Sequence, residues 1–500
     1  MTRPKTRWLI GALIVGFWLL MTGLLLRREL GVRQLAAEPA SRLEKPTETW
    51  MGIYVDERRR IGHVHVRQSP EERQGLPGAR MTVEAEMRLN LLGKETDLDL
   101  SGFVWRPYER PEAQFDFAIR SAEYDFRITG GLGDGVLSAE VLSAGESFPL
   151  SLPVDGEMVF ANGFGATFEL PALEVGEEVR LESFDPLTLS KSPARVRCLA
   201  RETLDLGAGP IATRRLQVTL GGIRSLAWID EAGEVVRAET PVGLVLQKID
   251  GPEIRRALDT APAGDALEEL LGRTAIRPSG KLPFRGAHTM TVALRGPRAA
   301  GTSEERPLPG DDVQASLGGG RYRLTVPEAP PSPSVVSVPD AAFLAADAFV
   351  QADHREIRRQ AADIVAGEAD PWRRALLIHR WVFTRIEKEP VVSIPSALEV
   401  LKKRRGDCNE HTVLYTALAR AAGLPTRIAI GIVWSDELEG FYYHAWPEVH
   451  LDGRWIWMDP TLDQPLADAT HLKLLNGGIE SWPQLLPYLG RLEIEVLEVE

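Results

Sequence analysis

Arg405-Gly406-Asp407-Cys408-Asn409-Glu410-His411-Thr412-Val413 sets one of the chain's two cysteines at the start of a predicted helix. Asp407 is a good N-cap residue and Glu410, three positions on, can complete a capping box. Val413, Leu414, Ala417, Leu418 and Ala421 then recur at helical spacing until Gly423 and Pro425 end the run. Cys408 is thereby the first helical residue. There the helix dipole and the free N–H groups of the first turn favour the thiolate, the form that attacks a carbonyl, and a neighbouring imidazole would lower the thiol pKa further.

Downstream, Tyr443 to Leu451 and Arg454 to Pro460 flank Asp452-Gly453, a strong two-residue hairpin signal. In that register Leu451 faces Arg454, His444 faces Thr461, and Asp459 is a diagonal neighbour of His444. A carboxylate at that place holds an imidazole's tautomer and stabilises its imidazolium. One face of the hairpin would carry His444, Trp446, Glu448, Trp455, Trp457 and Asp459; the other, Val449, Leu451, Ile456 and Met458, would be core. Pro447 is expected to disturb this pairing by one residue, since proline is tolerated at strand edges and bulges.

The Gly-Asp-Cys at 406–408, the helix ending in Ala-Gly-Leu-Pro-Thr-Arg at 422–427, His444-Ala-Trp and Trp457-Met-Asp-Pro-Thr together resemble the core of the transglutaminase-like superfamily of papain-type cysteine enzymes. The resemblance covers the chain from about Asp340 onward. It implies that Cys408 is the nucleophile, His444 the base and Asp459 its orienter. The backbone N–H of Cys408 is the one oxyanion donor it suggests. His411 is a rival base that would more often pack or cap, and His450 reads as a surface residue. Glu448 is either a supporting group or a solvated strand residue. Trp446 and Trp457 are candidate substrate-binding residues, although tryptophans at such positions are more often core.

At the opposite end, Trp8 to Leu26 is a nineteen-residue apolar run without a charge, preceded by Arg3, Lys5 and Arg7 and followed by Arg27 and Arg28. That length crosses a bilayer as a helix and exceeds the apolar core of an ordinary signal peptide, so an uncleaved membrane anchor is expected over residues 1–30. Basic residues on both sides leave the orientation open. The catalytic domain is expected on the periplasmic or extracytoplasmic side.

With 44% hydrophobic residues, five hundred residues can build two or three domains. A net charge of -13 argues against a nucleic-acid partner. Two cysteines form no disulfide framework, and pairing Cys198 with Cys408 would consume the proposed nucleophile; Cys198 reads as a buried strand residue. The scattered histidines and the lack of a Cys-x-x-Cys motif suggest neither a metal site nor a cofactor.

Residues 45–258 read as an antiparallel β-rich domain, a sandwich or half-barrel. Met81 to Leu91 alternates apolar and polar, and Phe115, Phe117 and Ile119, then Tyr124, Phe126 and Ile128, repeat the two-residue period. Gly130-Gly131, Gly133-Asp134-Gly135 and Asp230 to Gly233 read as turns. A helix at Ala266 to Leu271 leads into a small β unit over 270–335, with strands at His288 to Leu294 and Gly320 to Val326 and a stiff linker at Pro327 to Pro333. The catalytic domain follows at 340–500. Asp370-Pro371 starts a helix, Ser396 and Glu399 box another, and Leu492, Ile494 and Val496 mark a last strand.

The expected fold class is therefore α+β: a C-terminal papain-like transglutaminase core, preceded by an N-terminal transmembrane helix and antiparallel β-rich domains. The activity that the resemblance implies is acyl transfer from peptide or carboxamide bonds, with a protein or peptide as substrate and hydrolysis favoured by analogy to membrane-tethered members of the family. A protein-crosslinking transglutaminase, a silent peptide-binding module and a structural envelope protein are the alternatives.

Overall fold

The computed structural model describes residues 33–34, 43–249, 275–296 and 307–500, apart from 56–58, 92–93, 111, 122–124, 144, 155–157, 161–172, 186–188, 208, 221–222, 241–242, 390–395, 479–480, 486–487 and 489–490. The expected anchor at Trp8 to Leu26 and the expected helix at Ala266 to Leu271 lie outside the described residues. Among the described residues, no helix is long and apolar enough to cross a membrane.

The N-terminal half is a sixteen-stranded sheet. Thr47–Val55, Arg59–Arg73, Leu76–Leu91, Lys94–Pro107, Ala113–Ser121, Asp125–Gly133, Val136–Ser143 and Glu146–Pro153 follow one another as antiparallel neighbours. A second antiparallel run, from Glu178–Asp185 to Leu244–Lys248, joins it where Leu244–Lys248 pairs with Thr47–Val55. The two-residue period drives this architecture: Val83, Ala85 and Met87 are buried while Glu84, Glu86 and Arg88 are exposed. Cys198 is fully buried within Ser190–Asp205. Gly130 and Gly131, expected in a turn, lie inside the strand Asp125–Gly133. A Cβ on Gly130 would sit 2.4 Å from the Ser138 carbonyl oxygen, so the glycine serves a close backbone approach. The turn itself is made by Asp134 and Gly135, at φ 51° and 72°.

In the C-terminal half, β1 (Thr289–Arg295), β2 (Gln314–Gly318), β3 (Arg321–Thr325) and the last strand, Glu493–Val499, form a five-stranded sheet with Ser279–Gly280. The chain's last strand thus pairs with β1. Among the described residues, four α-helices lie between the linker and the next sheet: α1 (Arg355–Val365), α2 (Pro371–Arg385), α3 (Ala397–Lys403) and α4 (Cys408–Ala421). A four-stranded antiparallel sheet comes after them, with β4 (Thr426–Ser435), β5 (Gly440–Leu451), β6 (Arg454–Trp457) and β7 (Leu472–Asn476) in the spatial order β6-β5-β4-β7. One hydrophobic core spans all of this, joining Met290, Val292 and Leu324 to Ile378, Leu414, Val449 and Ile456.

The helix starts follow their caps. Asp370 accepts from the Trp372 N–H at 3.0 Å ahead of Pro371, as expected. At α3 the expected capping box is absent: Ser396 makes no side-chain cap and its hydroxyl accepts from Gln351 Nε2 at 3.0 Å. Glu399 turns inward to Lys403 at 2.9 Å and to the Ser143 hydroxyl of the large sheet at 3.4 Å, where burial pushes its carboxyl pKa up. With Phe349 stacked 6.5 Å from Phe126, this contact seats the helical part on the large sheet.

Candidate active site

At the head of α4 the capping box forms as expected. The Asp407 carboxylate accepts from the Asn409 N–H at 2.8 Å, and Glu410 accepts from the Asp407 N–H at 2.9 Å. Gly406 makes this possible: a Cβ there would lie 2.3 Å from the Glu410 side chain, and its φ is 152°. Cys408 is consequently held at the first helical position, half-buried.

The same helix docks on a strand edge. β6 pairs with β5 from Leu451–Arg454 to Glu448–Trp457, and the Met458 N–H donates to the Pro447 carbonyl at 3.0 Å as the final rung. Beyond that rung α4 takes over. The Thr412 hydroxyl, one turn after Cys408, donates to the Ala445 carbonyl at 3.0 Å. Pro447 causes no slip in register, contrary to expectation; it also pairs with Ile428 of β4 in unbroken register. Its missing N–H and its carbonyl face the same side, that of β6, so β4 loses nothing.

His444 and Asp459 meet, although not by ladder pairing. The chain turns after Trp457, and Asp459 pairs with Gln464 rather than extending the hairpin to Thr461. The turn aims the carboxylate back: His444 Nε2 donates to Asp459 Oδ2 at 2.7 Å. The N–H groups of Thr461 and Leu462 donate to Oδ1 at 2.8 and 3.0 Å, and His379 Nε2 donates to the Asp459 carbonyl at 3.1 Å. With Nε2 engaged, Nδ1 is the nitrogen of His444 left for a thiol or leaving group.

A second imidazole shares this carboxylate. His471 Nε2 is 3.0 Å from Asp459 Oδ2, and its Nδ1 is 3.2 Å from Asp468 Oδ1. Sequence reasoning missed His471, which lies in no motif; its one signal was being one of only nine histidines, twelve residues past Asp459. Burial opposes the charged forms throughout, but the hydrogen bonds overcome it. His444 and then His471 hold the Asp459 carboxyl well below the usual range. His471 and Arg285 do the same for Asp468, and the two carboxylates raise the pKa of His471.

The thiol does not follow the expectation from the helix dipole. Burial pushes Cys408 well above the ordinary thiol value, with the charges of Asp407, Glu410 and Asp459 adding to it and the Ala445 N–H opposing. The resting group is therefore a protonated thiol, and a base is needed to activate it.

The other singled-out residues are structural. Trp446 and Trp457 are 0% and 1% exposed, with ring centroids 5.3 Å apart, and present no surface to a substrate. Asp311 accepts from Trp457 Nε1 at 3.1 Å, and Trp446 packs against Trp457 and edge-on against His471. Glu448 is fully buried and ion-paired to Lys473 at 2.7 Å and Arg427 at 2.5 Å, not solvated. His450, expected at the surface, is buried: the Ser337 carbonyl lies 2.8 Å from its Nδ1. His411 is buried with Nδ1 on the Asp407 carbonyl at 2.7 Å.

His444, Asp459 and His471 place ligand-type atoms within 4.8 Å of one another. Both imidazoles direct Nε2 to one carboxylate oxygen, which makes the cluster a hydrogen-bonded chain rather than a ligand set.

Residues 358–460 match the family model of the transglutaminase-like superfamily. No curated protein matches the chain. Among solved structures, a candidate cysteine protease from Cytophaga hutchinsonii is 17% identical, with 45% of this chain and 85% of that one covered at a TM-score of 0.28. A candidate protease from Parabacteroides distasonis is 10% identical over 56% of this chain and 66% of that one, at 0.19. A β-barrel-like protein of a domain of unknown function from Brucella abortus is 13% identical over 42% of this chain and 98% of that one, at 0.32.

Proposed function

Starting from a transglutaminase-like domain at residues 358–460, we propose that the protein is a cysteine enzyme that breaks peptide or carboxamide bonds through an acyl-thioester. One observation carries the reading. Cys408 is the first residue of α4, and that helix bonds through Thr412 to Ala445, the neighbour of a histidine whose Nε2 is 2.7 Å from a buried aspartate.

The steps follow from the protonation states. His444 Nδ1 takes the Cys408 proton as the sulfur attacks the carbonyl carbon. The Cys408 backbone N–H, in the first turn of α4, faces the oxyanion. The imidazolium, steadied by Asp459, then protonates the departing amine as the C–N bond breaks, leaving a thioester. Water, deprotonated by His444, attacks the thioester; the acid leaves and the thiol regains its proton. Water is the acceptor we assign, because a crosslinking enzyme must in addition exclude it.

The apolar run Trp8 to Leu26 is the membrane anchor in this reading, with the catalytic domain on the extracytoplasmic side. Resistance to carbonate extraction, lost on deleting residues 1–30, tests that part.

The chemistry is tested with a library of peptide coumarin-amides. Wild type should release coumarin, and Cys408→Ala and His444→Ala should not. Undiminished release by Cys408→Ala would sink the assignment. Stable incorporation of an added primary amine, in place of hydrolysis, would turn the reading to a transferase.

A further inference from the structure

Two imidazoles meet at one oxygen of Asp459. His444 Nε2 and His471 Nε2 lie 2.7 and 3.0 Å from Oδ2, with ring centroids 5.8 Å apart. Charge on that oxygen is shared between two donors, so each sees less of it than it would alone.

His471 is held from every side. It is 0% exposed, its Nδ1 faces Asp468 through both the carboxylate, at 3.2 Å, and the carbonyl, at 3.1 Å, and it meets Trp446 edge-on at 5.1 Å. Asp468 is fixed in turn by the Thr470 hydroxyl at 2.5 Å, Gln464 Nε2 at 2.6 Å, the Gly286 N–H at 2.9 Å and Arg285 at 3.3 Å. With a carboxylate at each nitrogen, His471 carries both protons and is a fixed cation.

The remaining charged neighbours do not cancel it. His379 touches the Asp459 carbonyl, with Asp463 4.0 Å beyond it. Asp407 and Glu410 lie on α4 around Cys408. Lys473, two residues along, is balanced by Glu448 and Asp311.

We propose that His471, backed by Asp468 and Arg285, is a positioning residue for the reaction. It fixes Asp459 Oδ2 for His444 and, as a cation on the same oxygen, limits the negative charge that reaches His444. The proposal rests on the assignment of Cys408, His444 and Asp459 made above.

The test is the rate of iodoacetamide alkylation of Cys408 against pH, in the full chain carrying Cys198→Ser. His471→Gln keeps a neutral donor toward Asp459 and removes the charge. The freed carboxylate then stabilises a His444 imidazolium and with it a Cys408 thiolate. Alkylation at pH 6 should rise by about tenfold, one pKa unit for a neighbouring buried charge. Asp468→Asn should move it the same way by less, and decides the matter if His471→Gln does not fold. A His471→Gln profile superposing on its parent, while His444→Ala alters it, would overturn the proposal and leave the triad standing. If His444→Ala also changes nothing, the triad assignment fails and the proposal falls with it.

Discussion

The Thr412 hydroxyl donates to the Ala445 carbonyl across 3.0 Å, one helical turn after Cys408. This contact registers α4 against β5 and so decides where the sulfur sits relative to His444. Thr412→Val leaves a buried carbonyl without its donor and should cost about 1–3 kcal/mol in urea unfolding. Activity should fall through kcat more than KM, and Thr412→Ser should restore both.

Asp459→Asn removes the charge that steadies the His444 imidazolium while keeping an acceptor for the Thr461 and Leu462 N–H groups. A loss of about 10³-fold or more in kcat is expected, as for the orienting carboxylate of a triad. Activity within tenfold of wild type would show that the carboxylate is not used.

The Asp468–His471 pair predicts a pH window for stability. The pKa of Asp468 is depressed, so its contribution is complete above the unfolded value of 3.8 and fades as pH falls through the folded value. That of His471 is raised, so its contribution is complete below 6.5 and fades as pH rises through the folded value. The difference in melting temperature between wild type and Asp468→Asn should be largest between pH 3.8 and 6.5 and shrink on both sides. A difference that does not vary with pH would contradict the charged pair.

Asp370 caps α2 and also receives the hydroxyls of Ser334, at 2.8 Å, and Ser332, which tie the preceding linker to the helix. These bonds, Ser332 foremost, depress its carboxyl pKa to about 2 against burial. Asp370→Ala should cost about 1–2 kcal/mol at neutral pH. The cost should disappear as pH is lowered from 3.8 towards 2, checked by unfolding at each pH.

Lys473 is fully buried between Glu448 and Asp311, with Arg427 on the same two carboxylates. Lys473→Met strands part of that charge and should cost about 3–5 kcal/mol. Adding Glu448→Gln should recover a share of the loss, and a double-mutant cycle measures the coupling.

What the sequence determined by itself was local. The capping box at Asp407 and Glu410, the start of α4 at Cys408, the hairpin at Asp452-Gly453 and the alternation of Val83, Ala85 and Met87 are each written within a few residues, because caps, turns and periodicity act over that range. Only the tertiary structure decided the rest. Trp457 became core because Asp311, more than a hundred residues earlier, packs against it, and Trp446 because Trp457 and His471 pack against its ring. Glu448 found Arg427 on β4 and Lys473 on β7, strands that the sheet brings to its side. Pro447 kept its register because its missing donor faces the strand that ends there. His471 reached Asp459 because the turn after Trp457 and the bonds of Asp468 to Arg285 and Gly286 fold that loop back. The thiol was raised rather than lowered because burial and three carboxylates outweigh a helix end. Desolvation and through-space charge depend on what the whole chain brings near a residue, and no local pattern carries that information.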